Sequence, residues 1–306
     1  PDADAILSVQ LNLTSAKDDT TLQVLCEAFT NNWKAESATY NTYLTANQKQ
    51  SLVNSKTYIP TGSYGGKFSN VHNLNINDSV TLKWQPNSDW ISWLNAEQYG
   101  WTADAYSFSF QRIINNIIED SILFDQPFYQ AFNPNYGTLE LNKEYQKNTL
   151  TECGIKNLIL ASEYTFDEDE KHAWSAILFK NATNCWVKNV TAMHYGYAAV
   201  NIASANQITV EDCAMLDPIS QIAGERRYAF VITDGSNNLI QRCYSRNGRH
   251  DYVVQAKVYG PNVFLDCISE NSHNDNGPHQ RYSIGTLYDN VHGAEINVRN
   301  RKSMGT

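Results

Sequence analysis

Five aromatic residues in the second half of this 306-residue chain, Trp174, Tyr197, Tyr228, Tyr252 and Tyr282, are each preceded by unusually polar sequence. Two positions before them stand His172, Tyr195, Arg226, His250 and Gln280; one before, Ala173, Gly196, Arg227, Asp251 and Arg281; three before, Lys171, His194, Glu225, Arg249 and His279. If these positions stack, Arg226, His250 and Gln280 make one ladder and Arg227, Asp251 and Arg281 a second beside it. That grouping suits proton abstraction next to a carboxylate. A guanidinium is a permanent, planar cation that offsets a substrate carboxylate, and a His or Tyr beside it is pushed toward its basic form. β-Elimination needs that cation, a base for the α-proton and an acid for the leaving oxygen. The expected roles are Arg226, Arg227 and Arg281 on the carboxylate, His250 as base oriented by Asp251, and His279 or a nearby tyrosine as acid. Arg249, His172, His194 and Tyr195 are expected to bind substrate. The competing reading is structural, with Arg227 paired to Asp251 and Arg249 to Glu225 or Glu270. A metal on His250, Asp251, His273, Asp275 and His279 is disfavoured, because neighbouring guanidinium groups raise the cost of a divalent cation; no cofactor is expected.

A repeat would hold these residues in line. Each aromatic opens a short β-prone run, and an Asn- and Gly-rich turn leads to a second run: Cys185–Val190, Ile208–Cys213, Asn238–Cys243 and Asn262–Cys267. From the aromatic to the end of that second run the spacing is 16, 16, 15 and 15 residues, whereas the return to the next aromatic takes 7, 15, 9 and 15. A constant two-strand segment closed by a variable loop predicts coils of parallel strands stacked about 4.8 Å apart. Val187, Val210, Ile240 and Phe264 then point inward, as do Val190, Cys213, Cys243 and Cys267, the cysteines as buried free thiols. Asn184, Asn206, Asn237 and Asn262 are expected to bond between coils.

The fold class is therefore all-β: a right-handed parallel β-helix with an N-terminal cap and a β-rich insertion. Residues 1–105 are expected to form the cap and first coils, 106–152 the insertion and 153–306 the regular coils, which continue beyond the chain. A capping helix is expected over Thr20–Trp33, strands over Thr57–Tyr64 and Val71–Trp84, and β-structure around the apolar runs Ile113–Ile118 and Ile122–Phe132. Ile155–Leu160 reads as the second run of a further coil. Trp84, Trp90, Trp93 and Trp101 either stack on sugar rings or pack a domain. Cys26 and Cys153 read as isolated.

Composition narrows the partners. With 18% charged and 42% hydrophobic residues the chain folds, and a net charge of -9 argues against nucleic acid as a whole-molecule partner. No apolar run suits a membrane-spanning helix. Sequons at Asn12, Asn77, Asn181 and Asn189 permit glycosylation, and the start at Pro1 suggests a processed or trimmed chain.

The stacked runs, best over 153–306, resemble the pectate-lyase-like superfamily of right-handed β-helix proteins, rich in polysaccharide lyases and glycoside hydrolases. Gly224–Tyr228 (GERRY), Asn247–Tyr252 (NGRHDY) and Ser272–Tyr282 (SHNDNGPHQRY) are similar to blocks in extracellular β-helix proteins. Neither the paired aspartates with Gly-His-Gly of polygalacturonases nor the Asp-Pro-His-Glu of alginate epimerases is present. The resemblance implies a secreted or cell-surface protein acting on an acidic polysaccharide, as a lyase for uronate-containing glycans. The alternative is a non-catalytic wall, matrix or filament protein that binds glycan. A further chain or C-terminal segment is expected to cover the open solenoid end.

Overall fold

The structure, a computed structural model, describes residues 74–304 apart from 119–120, 127, 131, 134 and 144–148, together with the backbone of two short strands, Ser8–Leu11 and Leu22–Leu25. The described chain is all-β, with a curled parallel sheet. It divides into two compact units: one holds the parallel strands within residues 148–300 and is grouped with the antiparallel pair Ser8–Leu11 and Leu22–Leu25, and the other is an antiparallel unit within residues 46–147 that also takes in 301–305. No described helix is long and apolar enough to cross a membrane.

Among the described residues the coils are built chiefly from two parallel sheets, with a third, two-stranded one pairing Leu150–Thr151 and Ala182–Thr183. In the larger, Gly154–Ala161 lies along Trp186–Met193, and successive coils follow as pairs of short strands: Thr209–Glu211 with Ala214–Leu216, Asn238–Gln241 with Tyr244–Arg246, and Tyr259–Leu265 with Ile268–Glu270, then Ile284–Asp289. Between the halves of each pair sits one residue with left-handed backbone. Asn157, Asn189, Asp212, Arg242, Asp266 and Asn290 all have φ between 49° and 58° and lie level from coil to coil. Each turns a corner in its coil and resets the two-residue alternation of a strand. This is why inward positions three apart, such as Val187 and Val190, both reach the core. Asn and Asp tolerate this backbone because their side chains bond locally. Here they bond between coils, with Asn189 Nδ2 donating to Asn157 Oδ1 at 2.9 Å and Asn290 Nδ2 to Asp266 Oδ1 at 2.7 Å.

Two expected columns are observed. Val187, Val210, Ile240 and Phe264 are in register and buried, extended by Ile155 below and Tyr288 above. Val190, Cys213, Cys243 and Cys267 form the second, with all three thiols free and buried. Each buried aliphatic or aromatic side chain contributes about 1.5–3 kcal/mol. Cys153 is not isolated: it lies one rung from Cys185, because Gly154 pairs with Trp186. Of the four turn asparagines, Asn206 and Asn262 bond between coils through their side chains as expected, Asn206 Oδ1 accepting the Ser236 N–H at 2.8 Å, whereas Asn237 Nδ2 donates to the adjacent Ser236 Oγ and Asn184 Oδ1 is buried without a partner. The stacked pair is Asn238 and Asn262, with the Asn238 backbone N–H donating to Asn262 Oδ1 at 3.1 Å and the Ile208 N–H to Asn238 Oδ1 at 2.9 Å.

The smaller sheet holds Ser175–Lys180, Ala198–Ala203, Phe230–Ile232, Tyr252–Val254 and Gly277–Pro278. Its register corrects the expected aromatic ladder. Trp174 and Tyr197 stack at 6.4 Å and Tyr228 lies 5.4 Å from Tyr197, but Tyr252 pairs with Phe230 rather than Tyr228. Tyr252 therefore turns into the main core, stacked on Phe230 at 5.7 Å, while Tyr228 packs with Ala198, Val231 and Val253 on another face. A two-residue displacement across the variable loop causes the change. Tyr282 falls beyond the strand Gly277–Pro278 and is not equivalent to the others.

In the antiparallel unit four strands run in the order Ser121–Phe124, Phe108–Ile118, Ser79–Pro86, Gly137–Lys143. β-Structure was expected here, and the sheet draws on residues on both sides of position 105. Trp84, Trp90, Phe108 and Phe110 are buried in its core beside Arg112, whose guanidinium lies 4.7 Å from the Phe128 ring. The helix expected over Thr20–Trp33 is contradicted at Leu22–Leu25, a strand paired antiparallel with Ser8–Leu11. In LQVL the apolar residues also fit a two-residue alternation, and strand pairing prevails over the helical stripe. The remainder of that segment and Thr57–Tyr64 lie outside the described residues.

Candidate functional site

Of the aromatics that precede the smaller sheet, Trp174 and Tyr197 are half-buried, whereas Tyr228 is buried with Ala198, Val231 and Val253. Trp174, Tyr197 and Tyr228, from three successive coils, line a cleft of about 420 Å³ with Glu225, Arg226 and Gln255. Their positions follow from the local chain. Gly196 lies under the Trp174 indole, where a Cβ would come within 2.5 Å of the ring, so only glycine lets the indole lie flat there. Glu225 and Arg227 both have left-handed backbone, with φ of 64° and 57°, which directs the intervening Arg226 into the cleft. Burial pushes the Tyr197 phenol well above its ordinary range, against a bond to Gln255 that lowers it, so Tyr197 keeps its proton and can donate.

Arg226 is already held by protein. Its Nε and Nη2 grip both oxygens of Glu170, at 2.6 and 3.0 Å, and its Nη1 donates to the Gly224 carbonyl at 2.8 Å. The bond to Arg226 holds the Glu170 carboxyl below its usual range. Arg227 turns inward and is buried, its Nε donating to the Ser220 carbonyl at 3.1 Å. Burial lowers its pKa. The expected pairing of Arg227 with Asp251 is replaced by these backbone bonds, and Glu270 takes the Tyr244 hydroxyl rather than Arg249.

At one end of the cleft the Tyr228 hydroxyl is a hub. The Glu225 N–H and Arg249 Nη1 donate to it at 3.3 and 3.4 Å, and His279 Nε2 lies 3.3 Å away. The His250 ring stands 5.1 Å from the Tyr228 ring and 4.6 Å from His279. His250 is itself buried, with Nδ1 2.5 Å from the Asp275 carbonyl. Asp275 rather than Asp251 therefore orients it, since adjacent residues of an extended chain point apart. Asp251 is fully buried and accepts a 2.5 Å bond from Ser245 Oγ. Burial raises its pKa, opposed by hydroxyl bonds from Ser245, Ser272 and Ser269.

The structure thus gathers Arg249, His250 and His279 around Tyr228, places Arg226 in the lining of the same cleft, and disperses the other expected site residues. Arg281 lies past the strand end, its carbonyl accepting the Lys257 N–H at 3.0 Å. His172 is buried between Ser162 Oγ, at 2.8 Å from Nδ1, and the Ile219 carbonyl, at 2.7 Å from Nε2. His194 occupies a left-handed corner with φ 66°, level with Asp217. Tyr195 is a core residue, 2% exposed, and burial raises its pKa. Sequence reasoning read Trp174, Tyr197 and Tyr228 only as stacked rings and gave Glu225, Gln255 and Glu170 no site role. The available signal was the adjacency of the polar GERR run to an aromatic that recurs coil after coil. No protein family, no curated protein and no solved structure matches the chain.

Proposed function

We propose that this is an extracellular carbohydrate-active protein of the right-handed parallel β-helix type, akin to the pectate-lyase-like superfamily, that binds a polysaccharide chain in the cleft. The observation that carries this reading is the stacked, half-buried pair Trp174 and Tyr197 from two consecutive coils, lining a cleft that the buried Tyr228 of the next coil helps to close. Aromatic faces bury the C–H face of a sugar ring, and Gln255, Glu225 and the protonated Tyr197 hydroxyl offer bonds to its hydroxyls. The right-handed solenoid is supported by the six level corner residues and by the two inward columns. The test is quenching of intrinsic fluorescence by oligosaccharides from neutral and uronate polymers. Tyr197→Ala is expected to weaken binding at least tenfold with the fold retained; equal binding by this variant and the wild type rejects the cleft.

The Tyr228 hub favours a second, catalytic reading: β-elimination on a uronate glycan. Tyr228 or His279 would take the α-proton, the electron pair would form the ring double bond, and the glycosidic oxygen would leave with a proton from the other group. Arg249, rather than the Glu170-bound Arg226, would face the substrate carboxylate. Ultraviolet absorbance of an unsaturated uronate product separates the readings. Tyr228→Phe is expected to abolish that signal while glycan binding persists.

A further inference from the structure

The four tryptophans of the antiparallel unit have different surroundings. Trp84 and Trp90 are each 1% exposed and pack edge to face at 5.5 Å. Trp101 stacks on Tyr106 at 4.8 Å. Trp93 is 64% exposed, the most exposed of the large aromatics described, and its ring stacks on Tyr136 at 5.6 Å with an interplanar angle of 30°. Stacked in this way, the Tyr136 ring backs the indole and leaves the outer indole face open to solvent.

The surrounding chain holds that surface in place. The strand Ser79–Pro86 ends opposite Gly137, and the helix Ser88–Trp93 begins directly after it. Asn87 links the two sides: its Oδ1 caps the helix through the Trp90 N–H at 3.2 Å, its Nδ2 donates to the Asn135 carbonyl at 2.8 Å, and its N–H donates to the Tyr136 carbonyl at 2.9 Å. A Cβ at Gly137 would come within 2.5 Å of the Gln85 carbonyl, so the chain bearing Tyr136 can approach this closely only through glycine. Two aromatic rings far apart in sequence are thus fixed side by side at the end of the sheet.

The exposed polar residues of these segments include carboxylates and amides: Asp89 stands one helical turn before Trp93, Asn95 follows the C-cap Leu94, and Asn133 and Asn135 precede Tyr136. Glu97, the nearest carboxylate after the helix, is engaged by the Ser92 hydroxyl. An exposed indole face with amides nearby complements a pyranose, which offers a C–H face to the ring and hydroxyls to amides, while the carboxylates of Asp89, one helical turn before Trp93, and Glu97 disfavour an anionic polymer. We propose that Trp93 and Tyr136 form a second carbohydrate-binding surface, selective for neutral glycans and separate from the cleft of the parallel coils.

The proposal is tested by affinity electrophoresis of the full chain in native gels containing hydroxyethylcellulose, xylan, galactomannan or polygalacturonate. Circular dichroism verifies that each variant is folded. The expected result is retardation of the wild type by at least one neutral polymer, at least tenfold weaker retardation of Trp93→Ala, and near-complete rescue by Trp93→Tyr. The cleft variant Tyr197→Ala is expected to keep that retardation, so failure of the cleft reading leaves this one standing. Equal retardation of wild type and Trp93→Ala, or no retardation by any neutral polymer, overturns the proposal. So does retardation lost only in Tyr197→Ala. A wild-type dimer on size-exclusion chromatography that Trp93→Ala converts to a monomer also overturns it, since a second chain would then cover the rings.

Discussion

The parallel coils and the antiparallel unit both bury aromatic rings, but they distribute them differently. In the coils each inward residue meets its equivalent on the next rung: Phe230 stacks on Tyr252 at 5.7 Å and Phe264 on Tyr288 at 5.0 Å. In the antiparallel unit one side chain, Trp84, touches Trp90, Phe108 and Phe132, which come from three separate segments. The coils are therefore a nearest-neighbour structure in which disturbance stays local, whereas the other unit has a hub. The contrast extends to function. Stacking one position along a coil axis yields a row of like groups, the cleft wall; closing a hub core leaves one aromatic pair at the sheet end.

The largest expected effect separates these two kinds of core. Phe264→Ala and Trp84→Ala each remove a fully buried ring and should each cost about 3–5 kcal/mol. Hydrogen exchange should distinguish them. For Phe264→Ala, faster exchange is expected in Asn238–Gln241, Tyr259–Leu265 and Ile284–Asp289, fading toward Gly154–Ala161. For Trp84→Ala it should rise throughout the four antiparallel strands. Uniform loss of protection in the coils would contradict the nearest-neighbour description.

Next come the buried ionisable groups, whose pH dependences have opposite signs. Burial raises the Asp251 carboxyl, so between the unfolded value near ~3.9 and its folded value the native state binds more protons. Stability contributed by this residue therefore falls as pH rises through that window. Burial lowers Arg112 to about 10, so above that pH the unfolded state holds more protons and stability rises with pH. Asp251→Asn should flatten the decline measured by chemical denaturation as pH rises above about 4, while the amide keeps a bond to Ser245. An unchanged pH profile would mean that Asp251 is not the group responsible.

A smaller effect tests the corners, and it also marks what could be read in the sequence. Asn189→Val puts a β-branched residue at φ 51° and should cost about 1–2 kcal/mol by thermal melting, whereas Asn189→Gly should change stability by a few tenths. The inward columns were legible because Val187, Val210, Ile240 and Phe264 keep constant spacing and are uniformly apolar. The corners were harder, since Arg242 occupies the same left-handed site as Asn189 and Asp212, and an arginine carries no turn signal. The aromatic register failed at Tyr252 for a related reason: a loop of variable length precedes it, and nothing in an aromatic side chain says which face of the strand it takes. The expected catalytic ladder shared that register, so His250 came out level with Tyr228 rather than with Arg226.

The smallest expected effect lies on the coil surface. Lys188 Nζ and Arg242 Nη2 share Glu211 at 2.7 and 2.8 Å, and Arg242 Nε also reaches Asp212 Oδ1 at 2.7 Å, linking three rungs outside the core. The Lys188 side chain is 51% exposed, so water and salt screen it and its pair with Glu211 should contribute only about 0.2–1 kcal/mol. A double-mutant cycle of Lys188→Ala with Glu211→Ala isolates that coupling, and repeating it in about 1 M salt should reduce it toward zero. Coupling that survives high salt would show the network acting as a clamp between rungs, and disturbance in the coils would then spread further than the core columns alone allow.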